Sequence, residues 1–198
     1  MKILRDTIRQ YKFYIIFLAV VAAAFLLLFF IRADYYPIAF VNNHPISARE
    51  FTRNYQLASM YYLNIVKTYN LQNSAREMPQ PLEMRAGILK QLIEAMLIHE
   101  GAEKEARGDI DSLIADKIGK YEQDEEFQKA VKTLYGSRFE DFKKAVLIPQ
   151  AERDILAGRL FLRGVGLDKW LEEAKKSSRV IIFSGQFRWN GQDVEVRK

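Results

Sequence analysis

The chain has 198 residues, a formal net charge of +5 and no cysteine. This length is typical of one compact domain with an appendage. The absence of cysteine excludes a disulfide framework, a thiolate nucleophile, a cysteine metal site and a lipid-modified cysteine. Much of the excess positive charge lies in residues 1–12. The net charge of the rest of the chain is therefore too small to indicate nucleic acid as a partner.

An uninterrupted apolar run, FYIIFLAVVAAAFLLLFFI, covers residues 13–31. Its length is close to the ~20 residues that a helix needs to cross a hydrocarbon core of ~30 Å. The run is longer than the apolar region of a cleaved signal peptide, and no small-x-small cleavage site follows it. These features predict a transmembrane signal anchor over residues 13–31.

The basic residues that precede this run set the predicted orientation. By the positive-inside rule, residues 1–12 form a cytoplasmic basic tail and the C-terminal domain is extracytoplasmic. The predicted localisation is therefore single-pass in the cytoplasmic (inner) membrane, with the lipid bilayer as a partner of the tail.

After a linker over residues 32–37, the stretch AFVNNHPISAREF predicts a strand pair that leads into a helix. Short strands are expected at residues 38–41 and 45–46, because the Asn-Asn pair between them tolerates the positive φ of a tight turn. Ser47 and Glu50 have the spacing of a capping box at the start of the helix.

Helical periodicity dominates the rest of the chain. A second capping box is expected at Ser137 and Glu140, and Pro149 should kink the helix that follows it. The helices are predicted over residues 48–69, 81–107, 111–121, 124–135, a long segment from 139, and 168–176.

Two β features are expected near the C-terminus. Residues 180–183 (VIIF) predict a strand, and Asn190-Gly191 is the signal of a type I′ hairpin turn. Residues 184–198 are therefore expected to form a C-terminal β-hairpin.

Four motifs follow one another along the chain: VNNHPIS before AREF, then Leu89, Leu92-Ile93, Leu97 and Ala102, then SRFEDFKKAV (137–146) and WLEEAKKSSRVIIF (170–183). Their order resembles the N-terminal module of SurA-, PrsA- and PpiD-type extracytoplasmic folding factors. The resemblance covers roughly residues 36–183 and implies a mainly α fold. In that fold a SurA N-terminal-like helical domain over residues 38–183 has a small β element, in which the N-terminal strand lies beside the C-terminal one.

Enzymatic members of this family carry a parvulin prolyl isomerase domain between two helices. These correspond here to the long helix from residue 139 and the last helix, residues 168–176, which we call the closing helix. Here only RGVGLDK, residues 163–169, occupies that place, so no parvulin histidine can be assigned. His44 lies in the predicted turn. His99 opens HEGAE rather than the zinc motif HExxH, because Glu103 stands where a second imidazole is required. We therefore predict no enzyme, no catalytic residue, no cofactor and no metal site.

The first predicted helix is apolar on nearly all of its faces. Leu57, Met60 and Tyr61 lie outside its core stripe, which comprises Phe51, Tyr55, Ala58, Tyr62, Ile65 and Tyr69. We predict that these three residues bind peptide together with Trp170 of the closing helix, since flexible Met and amphipathic Tyr suit promiscuous contacts. The alternative is that the closing helix covers this face.

The expected function is that of a membrane-anchored, non-catalytic chaperone or holdase for exported or membrane proteins. Its expected partners are unfolded or newly exported polypeptides, with the translocation machinery or another membrane protein as further candidates. The alternative is a structural or adaptor subunit that holds one dedicated membrane or envelope partner.

Overall fold

The computed structural model describes residues 14–25, 35–68, 80–106 and 108–197. The chain divides into two compact units, Met1–Tyr36 and Pro37–Lys198. In the first unit, residues 14–25 form a helix, α1.

The predicted transmembrane helix is wrong. No helix in the described ranges is both long enough and apolar enough to cross a membrane. The transmembrane part of the fold class is corrected accordingly. So is the single-pass localisation in the cytoplasmic membrane, which rested on the same run. The lipid partner stays a prediction. Residues 1–13 and 26–34 of the predicted tail, anchor and linker lie outside the described residues.

A small antiparallel sheet joins the two ends of the second unit. Strand β1 (Pro37–Val41) pairs with β2 (His44–Ser47) on one side and with β3 (Val180–Ile182) on the other. Ala39 lies opposite Ile182, and the side chains of Ala39 and Val41 are fully buried. The pairing of the closing strand with the first strand is therefore confirmed.

The described part of the chain is mainly helical. The helices of the second unit are α2 (Ala48–Thr68), α3 (Pro81–Ala106), α4 (Ile110–Glu122), α5 (Glu125–Tyr135), α6 (Phe139–Phe142), α7 (Ile148–Phe161) and α8 (Leu167–Ser177). Helix α3 is the centre of this unit. Helices α2, α7 and α8, the strands β1 and β2 and the strand β5 (Val194–Val196) all pack against it, which explains why its buried residues lie on several faces.

One of the two predicted capping boxes is present. The backbone N–H of Glu50 donates to the hydroxyl of Ser47 at 3.2 Å, as an N-cap requires. The second box is wrong, because the Ser137 hydroxyl donates to the carbonyl of Arg138 at 3.0 Å instead of accepting from the helix. Arg138 is the N-cap of α6 and makes no side-chain cap bond.

Pro149 acts through a π-helical turn, Lys143–Leu147, that lies between α6 and α7. Proline has no N–H to donate to the carbonyl four residues earlier. The chain widens before it, and the N–H of Ile148 donates to the carbonyl of Lys143. The expected irregularity is therefore a wider turn, with Pro149 in the first positions of α7.

The C-terminal hairpin packs on α3. Strands β4 (Phe187–Trp189) and β5 (Val194–Val196) pair with Trp189 opposite Val194, and Phe187 is buried in the core. The predicted two-residue turn is wrong, because residues 190–193 form the loop. The Asn190 side chain accepts from the backbone N–H groups of Gln192 and Asp193 at 2.9 and 2.7 Å, which stabilises this longer loop.

Candidate functional site

The four residues predicted to bind peptide occupy different environments. Leu57 is only 4% exposed and is part of the interior. Met60 and Tyr61 are exposed on the C-terminal half of α2. Trp170 lies on α8 and lines a cavity of about 420 Å³ between α3 and α8, to which none of the other three contributes.

Helix α5 covers part of the α2 face that carries Met60 and Tyr61. The ring of Tyr61 stacks on Tyr135, with 5.0 Å between the ring centroids and 16° between the planes. The amide of Asn64 donates to the carbonyls of Thr133 and Leu134 at 3.0 and 2.8 Å, and so satisfies the C-terminal end of α5. This seam holds the C-terminal half of α2 against α5.

A run of aromatic side chains continues from this seam into the interior. Tyr135 contacts Phe142 with 4.7 Å between centroids, and Phe142 contacts Phe127 at 6.1 Å. Burial, and secondarily the neighbouring Tyr61, raise the pKa of Tyr135, so its phenol is neutral at physiological pH. The stacked pair of Tyr61 and Tyr135 is therefore continuous with aromatic side chains of the interior.

Four consecutive large apolar residues are exposed at this end of α2. Met60, Tyr61, Tyr62 and Leu63, which we call the α2 patch, are 39, 38, 42 and 40% exposed. Tyr62 was expected in the core stripe but is exposed. Other residues of α2 contact α3: the Ser59 hydroxyl lies 3.5 Å from the Met84 sulfur, and Arg85 lies over the ring of Tyr55. The sequence signal for Tyr62 and Leu63 is the run itself, since four adjacent apolar residues cannot share one face of a helix.

Trp170 belongs to a different contact, between the closing helix and α3. A Cβ atom on Gly101 would lie 2.5 Å from Trp170 Cη2, so the indole fits only over a glycine. The Lys175 ammonium and the Glu94 carboxylate, 3.0 Å apart, fix the same two helices. Gly101 is about 25 Å along α3 from Met84, at 1.5 Å per residue. The structure thus places Trp170 apart from the α2 patch.

The two histidines of the chain both lie near carboxylates of the helical core. His99 Nδ1 is 2.8 Å from Glu152 Oε1 of α7, and His44 Nε2 is 3.8 Å from Glu100 Oε1. The hydrogen bond to Glu152 raises the pKa of His99 against the opposing effect of burial. His99, the first residue of HEGAE, therefore links α3 to α7. In the described ranges, no group of three or more His, Asp or Glu side chains could hold a metal ion.

The family model of the SurA-like N-terminal domain matches residues 1–142 of the chain. No curated protein and no solved structure matches the chain. The match covers more than half of the 198 residues and includes no parvulin domain, so the resemblance inferred from the sequence is confirmed. The chain therefore belongs to the family of SurA-like N-terminal domains, a chaperone-related family of folding factors.

Proposed function

We propose that the protein is a non-catalytic holdase that binds unfolded polypeptide at the α2 patch. The observation that supports this function most directly is the exposure of four consecutive large apolar side chains, Met60 to Leu63. Membership of a chaperone-related family gives such a surface its expected ligand.

The chemistry of the patch suits ligands of varied sequence. Methionine is flexible and polarizable, and tyrosine offers an apolar ring with a hydroxyl that can hydrogen-bond. Met60 and Leu63 are three residues apart and share one face of α2, and contiguous exposed apolar surface is typical of interaction sites. The stack of Tyr61 on Tyr135 and the Asn64 bonds to α5 keep the patch in place while its outer surface stays in contact with solvent.

The connection between α7 and α8 supports the non-catalytic part of the proposal. Only residues 162–166 join Phe161 to Leu167, at the place where enzymatic relatives are expected to carry the isomerase. A loop of this length cannot form a catalytic domain. We therefore expect no acceleration of prolyl cis–trans isomerisation in a proline-peptide assay, and catalysis by the purified chain would contradict this part of the proposal.

An aggregation assay tests the binding function. The full-length chain should suppress the light scattering of a chemically denatured enzyme diluted into buffer, and Met60→Ser/Leu63→Ser should lose most of that suppression. The matched control is Phe161→Ser/Leu162→Ser, because those residues are 80 and 79% exposed at the far end of α7. Thermal unfolding should show that both variants remain folded.

Two results would contradict the assignment of the site or of the function. If the control variant loses suppression as strongly as the α2 variant, general surface hydrophobicity and not the α2 patch binds the client. If the wild-type chain holds no client and one partner co-purifies in equal amount, the protein is an adaptor subunit instead.

A further inference from the structure

We propose that the α2 patch selects apolar segments that are flanked by acidic residues. This inference rests on the proposed function and names the class of client. It depends on the charged side chains that surround the patch, which are basic on the side facing α5.

Lys67 lies at the edge of the patch on α2. Residues three, four and seven positions apart share one face of a helix, so Lys67 follows Met60 and Leu63 along the same face. The side chain is exposed, and Lys67 forms no ion pair within the described part of the chain.

Lys132 occupies the corresponding position on α5. It precedes Tyr135 by three residues, and Tyr135 is the ring on which Tyr61 stacks. Helical spacing therefore places Lys132 beside the stacked rings. It is exposed and, in the described ranges, also lacks an ion pair. Two exposed ammonium groups that have no ion pair among the described residues thus flank the α2 patch.

Among the described residues, the acidic side chains of α2 and α5 lie away from the patch, and the exposed Glu83, in the first turn of α3, lies on the α3 side of α2. The acidic residue of α2 is Glu50 in its first turn, and those of α5 are Glu125 and Glu126 in its first turn. Asp141, beyond the end of α5, is bound to Arg138 at 2.9 Å. An extended client with carboxylates beside its apolar residues would complement this surface, whereas a client with flanking lysines would be repelled.

A peptide series measures this selectivity. Three fluorescein-labelled peptides share one apolar and aromatic core and carry Asp, Ser or Lys residues on both flanks. Fluorescence anisotropy with the full-length chain should give the tightest binding for the acidic flanks and the weakest for the basic flanks. Two exposed charge pairs should separate the acidic from the neutral peptide by roughly threefold to tenfold, and about 0.5 M salt should reduce this difference because it screens exposed charges.

Charge reversal on the protein identifies the residues responsible. Lys67→Glu/Lys132→Glu should reverse the order of the three peptides. Lys117→Glu/Lys176→Glu makes the same change in net charge at exposed positions on α4 and α8 and should leave the order unchanged. Equal effects of the two double variants would mean that only net charge matters, which would overturn the proposal.

The remaining outcomes separate this inference from the proposed function. If all three peptides bind equally and neither double variant changes their order, the patch binds clients without charge selection and this inference is wrong. If no peptide binds at all, the proposed function fails with it. If the chain self-associates and Met60→Ser makes it monomeric, the patch is an interface between two copies and the client proposal is overturned.

Discussion

Helices α2 and α3 are the two longest in the second unit, and they use their apolar residues differently. Ten of the 26 residues of α3 are buried, whereas three of the 21 residues of α2 are buried. Partners surround α3 along its length, whereas α5 and α3 leave residues 60–63 of α2 38–42% exposed. Apolar side chains on α3 hold the unit together, and those at the end of α2 remain available for contact with another molecule.

The largest expected effect comes from truncating one apolar residue in each helix. Ile93 is fully buried in α3, so Ile93→Ala should lower the free energy of unfolding by about 2–5 kcal/mol. Leu63→Ala in α2 should change it by less than about 0.5 kcal/mol, because the residue is already exposed. Denaturant titration of both variants measures the two changes in the free energy of unfolding. Comparable decreases in the two variants would show that Leu63 belongs to the core.

Smaller effects, opposite in sign to each other, are expected when two glycines of α3 are replaced by alanine. A Cβ on Gly101 would lie within 2.6 Å of two Trp170 ring carbons and 3.1 Å from Leu156, so Gly101→Ala should destabilise by about 1–3 kcal/mol. Gly87 is exposed in the same helix and has nothing within 4 Å of its Cβ position. Gly87→Ala should therefore stabilise by about 0.5–1 kcal/mol through helix propensity.

The close contact of Gly101 with Trp170 provides its own check. Trp170→Leu removes the indole and should cost less stability in the Gly101→Ala background than in the wild type, because the clash disappears with it. Additive losses in the two backgrounds would mean that α8 does not pack on Gly101.

The smallest effect is a dependence of α3–α7 packing on pH. His99 has a raised pKa because of its bond to Glu152. Its stabilising contribution is therefore complete below the unfolded value of about 6.5, and it declines as the pH rises through the higher folded value. The imidazole is 39% exposed, so we expect less than about 1 kcal/mol.

Denaturant titrations at pH 6 and pH 8.5 measure this contribution. The wild type should be more stable at the lower pH, and His99→Gln should reduce the difference between the two values. A variant with the full wild-type pH dependence would assign that dependence to another group.

Local sequence patterns identified most of the secondary structure but not how much each residue is buried. The strand pair, the Ser47 cap and the helices follow from short-range chemistry, and the resemblance to SurA-like proteins gave the pairing of β1 with β3. The contact of Asn64 with the end of α5 and the pair of His99 with Glu152 depend on how separate elements meet. For the same reason Leu57 is buried and Tyr62 is exposed, against expectation.

The transmembrane prediction rested on a length criterion applied to the apolar run over residues 13–31. No helix in the part of the chain that the structure describes meets the requirements for crossing a membrane. For the site, Met60 and Tyr61 are exposed, as peptide binding requires. The sequence could not show that Trp170 lies apart from these two residues, because the position of α8 depends on Gly101, about one and a half turns from the C-terminal end of α3.

The antiparallel pairing of β1 with β3 also sets the order in which the chain can fold. Ala39 meets Ile182 only after almost the whole unit has been synthesised, and closing so long a loop has an entropic cost that slows folding. Until then β1 has an unpaired edge, of the kind that promotes association between chains. The family match ends at residue 142, before β3. We therefore expect a fragment that stops there to lack the closing strand and to aggregate more readily than the whole chain.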